Sequence, residues 1–348
     1  MSNKGKFTQV EITSQPEIWK QTLSQLGKIN IDNWSLRNDY DQLILTGCGS
    51  TYYLSIWAAR VFQRRLQKYS QALPASELWL FPEDWDLPDR SSFLLAISRS
   101  GTTSETIAGM KKIKEESKIH TGVITCYPDS DLARLGDRLL SMPSAQEESI
   151  AQTRSFTNMM LGVCLLAEGK INSWIPDKLS EIGISVMDQY RPLMKELATD
   201  EQIDRFFFLG SDQRYGLACE AMLKMKEMSL SYSEAYHFLE FRHGPMSMVN
   251  DRSLIIGLLG DKNQKFELDV LEDMKGLGGR ILALGGKIQN DLPSWIDHQI
   301  TLDLNKIGSF GDVLYLPCLQ LLAYEKSIYK GLDPDRPANL DAVVILDE

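Results

Sequence analysis

Residues 93–103 read Phe93-Leu-Leu-Ala-Ile97 and then Ser98-Arg-Ser-Gly-Thr-Thr103. A short apolar run gives way to a turn of hydroxyls around one glycine, and helical spacing follows through Lys114. This is strand, tight turn, helix. The same order recurs on either side. Gln42-Leu-Ile-Leu-Thr46 enters Gly47-Cys-Gly-Ser50, after which Leu54, Trp57, Ala58, Val61 and Phe62 fall at helical spacing within 51–67. Gly122-Val-Ile-Thr-Cys126 enters Pro128-Asp-Ser-Asp131 and a short helix. The second half repeats the scheme with Arg205-Phe-Phe-Phe-Leu209, a long helix through Met228, then Leu254–Leu259, Arg280–Leu284 and a final helix from about Val313 to Lys330. Strands alternating with helices predict an α/β fold with parallel sheets covered on both faces. The two halves read as a duplicated α/β unit joined near 168–200. Expected borders are an N-terminal helical segment at 1–30, with a helix at Pro16–Leu26, then subdomains at 31–190 and 191–348, the second carrying the C-terminal tail.

Composition narrows the function. The chain has 348 residues, 43% hydrophobic and 24% charged, with a formal net charge of −10. These values are ordinary for a soluble globular chain, and the acidic balance argues against nucleic acid or an anionic membrane as partner. The longest apolar stretch, Met159 to Ala167, is too short to span a bilayer, and no apolar segment follows the N-terminus as in a signal peptide. The five cysteines (48, 126, 164, 219 and 318) form no C-x-x-C pair, and there are four histidines and no H-E-x-x-H. We expect a cytoplasmic protein without disulfides, metal or cofactor.

Ligands of open parallel sheets bind beyond the carboxyl ends of the strands, so the loops there carry the candidates. Ser98, Arg99, Ser100 and Thr103 offer hydroxyls and a cation at a helix start, where free N–H groups favour an anion. There is no P-loop lysine, which points to a monophosphate. Helix capping by Ser and Thr is the plain alternative. Cys48, Gly49, Ser50 and Thr51 form a second turn, and an ordinary βα connection explains it equally. Glu220, Lys224 and Glu227 lie at i, i+4 and i+7, so they share one helix face. They are either a solvated stripe of ion pairs or a proton-transfer group facing a site. Glu240-Phe-Arg-His-Gly-Pro245 is loop-like and places His243 beside Gly-Pro.

Together these segments resemble the sugar isomerase (SIS) superfamily, and within it the isomerase half of the glucosamine-6-phosphate synthases. The shared marks are Cys48–Thr51, Ser98–Thr103, Glu147–Thr157, Glu220–Glu227, Arg242–Pro245 and Asp335–Leu340. The resemblance implies two flavodoxin-like SIS subdomains in tandem and a homodimer. It implies that Cys48–Thr51 and Ser98–Thr103 cradle a sugar phosphate and that Ile150 and Gln152 line the sugar site. It makes Glu227 the proton carrier between C1 and C2, with Lys224 supporting the charged enediol. It gives ring opening to His243, supplied across the dimer interface.

Some positions depart from the synthase pattern. Ala342 stands where the synthases have a lysine, Thr102 replaces an acidic residue, and Arg99 replaces a glutamine. The chain is too short to add a glutaminase domain, so glutamine is not expected as its direct amino donor. These features point to a phosphosugar isomerase or amino-sugar-phosphate deaminase. A deglycase of phosphorylated sugar–amine adducts and a non-catalytic sugar-phosphate sensor are the alternatives.

Overall fold

The computed structural model describes residues 4–82, 90–117, 119–287, 293–305, 307–344 and 346. Among these, the strands form two five-stranded sheets. The first joins β1 (Gln42–Gly47), β2 (Tyr69–Pro74), β3 (Ser92–Ile97), β4 (His120–Thr125) and β5 (Arg138–Ser141) in the order β2-β1-β3-β4-β5. The second joins β6 (Arg205–Gly210), β7 (Tyr232–Tyr236), β8 (Ser253–Leu258), β9 (Arg280–Gly285) and β10 (His298–Thr301) in the order β10-β9-β8-β6-β7. Every pairing is parallel, with Ile44 opposite Leu94 in one sheet and Phe207 opposite Ile255 in the other. Read from the second strand outward, both sheets have the 2-1-3-4-5 order of flavodoxin-like folds. The expected tandem architecture is therefore present.

Six strands match the apolar runs read from the sequence. Four do not: β2, β5, β7 and β10 are the outer strands of the two sheets. The physical reason is coverage. Central strands β1, β3 and β8 are buried at every position, so they read as unbroken apolar runs. The outer strands mix exposed and half-buried positions, and Tyr-Ser-Gln-Ala-Leu-Pro at 69–74 carries no such run. On one flank of the first sheet, Ile44, Leu94, Ala96 and Val123 pack with Met110, Ile113 and Leu132 from the connecting helices. Phe207, Ile255, Val270, Leu271 and Ile281 do the same for the second.

The chain divides into two compact units whose members are not contiguous. The first-sheet unit holds Ser14–Glu147, Gln152–Ser180 and Asp341–Glu348; the second-sheet unit holds Met1–Thr13, Glu148–Ala151 and Glu181–Leu340. The helix Ile175–Thr199 carries the chain from one to the other. Among the described residues, no helix is long and apolar enough to cross a membrane.

Within the second-sheet unit the Pro- and Asp-rich tail has a structural task. The helix Lys6–Thr13, which sequence spacing did not reveal, begins without a capping side chain of its own. Asp335 supplies it from the far end of the chain: its carboxylate accepts from Thr8 N–H and Thr8 Oγ1 at 2.7 Å and from Phe7 N–H at 3.1 Å. Asp333 takes Gly5 N–H at 2.9 Å. These are the orphan donors of a first helical turn. Replacing Asp335 by Ala should cost about 0.5–2 kcal/mol, the range for a lost N-cap. Urea denaturation checks it: the Asp335→Ala midpoint should fall while Asp335→Asn retains part of the difference.

Candidate functional site

In the first sheet the chain leaves β1 in one direction for β2 and, after returning, in the other for β3. A crevice opens at such a switch point, bounded by the loops that follow the two central strands. Those loops are Gly47–Thr51 and Ser98–Thr103.

The first loop is tied down by its own threonine. Thr51 Oγ1 accepts from Cys48 N–H at 3.0 Å and donates to Cys48 O at 2.9 Å. Ser50 and Thr51 are both buried. A methyl on Gly47 would meet Thr51 Oγ1 at 2.6 Å, so only glycine fits. Gly49 has φ +55°, and nothing lies within 4 Å of where its side chain would start. A ligand can therefore approach its bare backbone. Burial pushes the Cys48 thiol up, against an opposing contact with Thr106, which leaves it a poor nucleophile.

The second loop exposes hydroxyls to one another. Ser98 Oγ accepts from Gly101 N–H at 3.1 Å and lies 3.5 Å from Thr103 Oγ1. Ser100 Oγ accepts from Thr102 N–H at 3.2 Å and from its hydroxyl at 3.0 Å. Thr103 precedes the helix Ser104–Glu116, yet its side chain makes no capping bond. Capping therefore does not account for this threonine. The C-terminal tail meets the same helix start, with Ser104 N–H donating to Val344 O at 3.3 Å.

Arg99 behaves differently from a free cation beside an anion. Its Nη1 lies 3.6 Å from Glu147 Oε2, a carboxylate whose side chain is fully buried. Its Nη2 donates to Ala342 O at 3.4 Å. Glu147 also accepts from Thr153 N–H (2.8 Å), Thr153 Oγ1 (2.7 Å) and the Ser155 hydroxyl. The arginine's charge is thus balanced inside the unit. Glu147 lay within the resemblance but drew no role from sequence, because nothing in its spacing tied it to Arg99. Gln152 belongs to this unit, and its Oε1 is buried with no hydrogen-bond partner among the described residues. Ile150 belongs to the second-sheet unit, where its N–H donates to Asp335 O at 3.0 Å.

In the second-sheet unit, the helix Arg214–Ser229 follows β6. Lys224 sits between two carboxylates of its own helix. Its Nζ is 3.4 Å from Glu220 Oε1 and in direct contact with Glu227 Oε2. The side chains of Glu220 and Lys224 are 0% and 1% exposed, whereas that of Glu227 is 18% exposed. A solvated stripe is excluded. A buried ammonium is tolerated only when paired, and here the pairing leaves one carboxylate open to the outside. The helix end is held by Lys330, whose Nζ donates to Ser229 O at 2.9 Å and Ser231 Oγ at 2.8 Å.

His243 is exposed, in the turn after the short helix Phe238–Phe241. Its N–H donates to Glu240 O at 3.0 Å, and neighbouring Arg242 is anchored on Asp273 at 2.5–2.6 Å. Gly244 turns the chain with φ +127°. The structure therefore brings Lys224, Glu227 and Glu220 together and gathers the two hydroxyl loops at one switch point. Among the described residues no cluster of three or more His, Cys, Asp or Glu could hold a metal ion.

The SIS domain family matches residues 36–168 and 201–315, one segment for each sheet. The chain belongs to the SIS domain family. It is 29% identical over 358 aligned residues to the glutamine–fructose-6-phosphate aminotransferase [isomerizing] of Pyrococcus horikoshii, covering 98% of this chain and 58% of that protein. The chain thus spans little more than half the length of that relative. Among solved structures, glucosamine-6-phosphate deaminase from Thermotoga maritima superposes with a TM-score of 0.78 at 27% identity, covering 97% of this chain and 99% of that one. Tagatose-6-phosphate ketose/aldose isomerase from Escherichia coli shares the fold with a TM-score of 0.84 at 23% identity, covering 96% and 95%.

The Arg99–Glu147 pair is testable without any ligand. Removing one buried partner leaves an uncompensated charge and typically costs about 3–5 kcal/mol. Glu147→Gln alone should lower the thermal midpoint markedly. Arg99→Met with Glu147→Gln should recover much of the loss, because neither charge then remains.

Proposed function

We propose that the chain is a phosphosugar isomerase or amino-sugar-phosphate deaminase acting on a ketose or aldose 6-phosphate. The observation that carries this is the buried Lys224, flanked by Glu220 and Glu227, with Glu227 alone reaching solvent. A group placed to trade protons, beside a fixed cation, suits chemistry at a carbon next to a carbonyl.

In the isomerase direction, Glu227 takes the C2 proton of the open-chain aldose. The electron pair left behind forms the C1–C2 double bond, and the C1 oxygen takes up a proton. Glu227 then returns its proton to C1 while the C2 hydroxyl loses its own, giving the ketose. Lys224 stabilises the oxyanion that develops on the way. With an amine at C2, the same steps give an enolamine and then an imine, and water releases ammonia. Ser98, Ser100 and Thr103 hold the phosphate with backbone N–H groups of the helix start, and Cys48–Thr51 present the backbone beside Gly49. Ile150 and Gln152 line the sugar, and Gln152 has a buried acceptor ready for a hydroxyl. Arg99, neutralised by Glu147, shapes the loop more than it attracts the anion. His243 opens the ring and acts from the partner subunit of a homodimer, in keeping with its exposure. The borders 31–190 and 191–348 serve as the proposed duplicated subdomains. No metal or organic cofactor enters these steps.

Glu227→Gln should keep sugar-phosphate binding and lower turnover at least about 100-fold, the lower end for general acid–base catalysis. Near-normal turnover would exclude Glu227 as the proton carrier. Sharing of His243 has its own readout. Mixing Glu227→Gln subunits with His243→Ala subunits should restore part of the activity that each lacks alone, and an active monomer in sedimentation would contradict it.

A further inference from the structure

The second sheet has its own switch point, between β6 and β8, and no step above uses it. The loops there are 210–214 and 259–263. They are filled by the chain's own charges. Arg214 is 7% exposed, and its Nε donates to the Tyr315 hydroxyl at 2.9 Å, which in turn donates to Leu259 O at 2.8 Å. Glu267 is 5% exposed and reaches back from the helix Gln264–Gly276 to accept from Gly260 N–H at 2.7 Å. The Ser211 hydroxyl, from the other loop, is near enough to help draw the same carboxylate toward its charged form.

Gly260 shows how closely these groups converge. A methyl there would lie 3.2 Å from Arg214 Nη1 and 3.5 Å from Glu267 Oε1. Guanidinium and carboxylate therefore face one spot above bare backbone. On the outer side, exposed Asp261 stands 4.0 Å from Arg214 Nη2. Below, Gln213 Nε2 donates to buried Asp312 at 2.5 Å.

A backbone N–H at a strand end, a loop hydroxyl and a guanidinium are the donors by which proteins hold an oxyanion. In this crevice the oxyanion is a side chain. Burial pushes the Glu267 carboxyl up, while Gly260 N–H, Arg214 and Ser211 draw it back toward the charged form.

We propose that the second switch point is an anion site plugged from within: the Glu267 carboxylate stands where a ligand's phosphate or carboxylate would, so each chain takes its phosphorylated ligand at the first sheet alone. The final clause rests on the proposed function; the plug does not. It also gives the duplicated units different work. One crevice keeps hydroxyls for a ligand, and the other spends its donors on the fold.

The test uses the full chain and inorganic phosphate as probe. Glu267→Ala should bind one phosphate more per chain than the unaltered protein, by calorimetric or phosphorus-NMR titration, and adding Arg214→Met should abolish that increment. Acetate, which matches the missing carboxylate, should raise the melting temperature of Glu267→Ala and not of the unaltered protein. Should Glu267→Ala fail to fold, Glu267→Ser serves the same comparison. The plug is overturned if the unaltered protein already fills both crevices, or if a folded Glu267 variant binds no more than its parent. A count rising from none to one supports the plug while contradicting phosphate binding at the first sheet. A count fixed at one in both proteins does the reverse.

Discussion

Lys224 carries an ammonium ion to a position that is 1% exposed. Burying such an ion costs several kcal/mol unless its charge is met at close range. Glu220 and Glu227 meet it, one turn to either side on the same helix. This requirement constrains the rest of the second-sheet unit. The helix cannot rotate without stranding a charge, so its end is pinned by Lys330 and its middle by Ser233, whose hydroxyl donates to Met222 O at 2.9 Å. The chemistry follows from the same arrangement. Two carboxylates share one cation, and only Glu227 of the two has an outlet, which is why the proposed proton transfer is assigned to it.

The two sheets show how one topology supports different uses. Each has a crevice between its first and third strands in chain order. In the first sheet, Gly47 and Gly101 hold turns that no larger residue fits: a methyl on Gly101 would stand 2.0 Å from Ser130 Oγ. Tight turns bring the Ser98 and Thr103 hydroxyls within 3.5 Å of each other. In the second sheet the corresponding space holds Arg214 and Glu267. The contrast lies in a few side chains laid over the same strand order.

Much of this was legible in the sequence, and the exceptions have physical causes. Central strands announce themselves because both faces are covered, as in Phe206-Phe-Phe208. Outer strands such as Tyr69–Pro74 do not, because in each all but one of the positions are exposed or half-buried. The hydroxyl loops were legible from Gly and Ser after apolar runs. The burial of Glu220 and Lys224 was not. The helix Arg214–Ser229 is covered around most of its circumference, with Leu217, Ala221, Met225 and Met228 buried alongside the charged residues. A helix buried on all sides has no polar face to read, so spacing alone favoured a solvated stripe over the buried group that the structure shows. Arg99 shows the other limit. Its partner Glu147 is distant in sequence, and a lone arginine beside an anion loop reads as a ligand for the anion.

Proton exchange between substrate carbon and solvent tests the central claim most directly. The protein is incubated in D₂O with fructose 6-phosphate and, separately, with glucosamine 6-phosphate, and proton NMR follows C1 and C2. Carbon-bound deuterium at C1 or C2 is the predicted result, with ammonia appearing if the enolamine is hydrolysed. Binding of both sugars with no deuterium at either carbon would contradict the account.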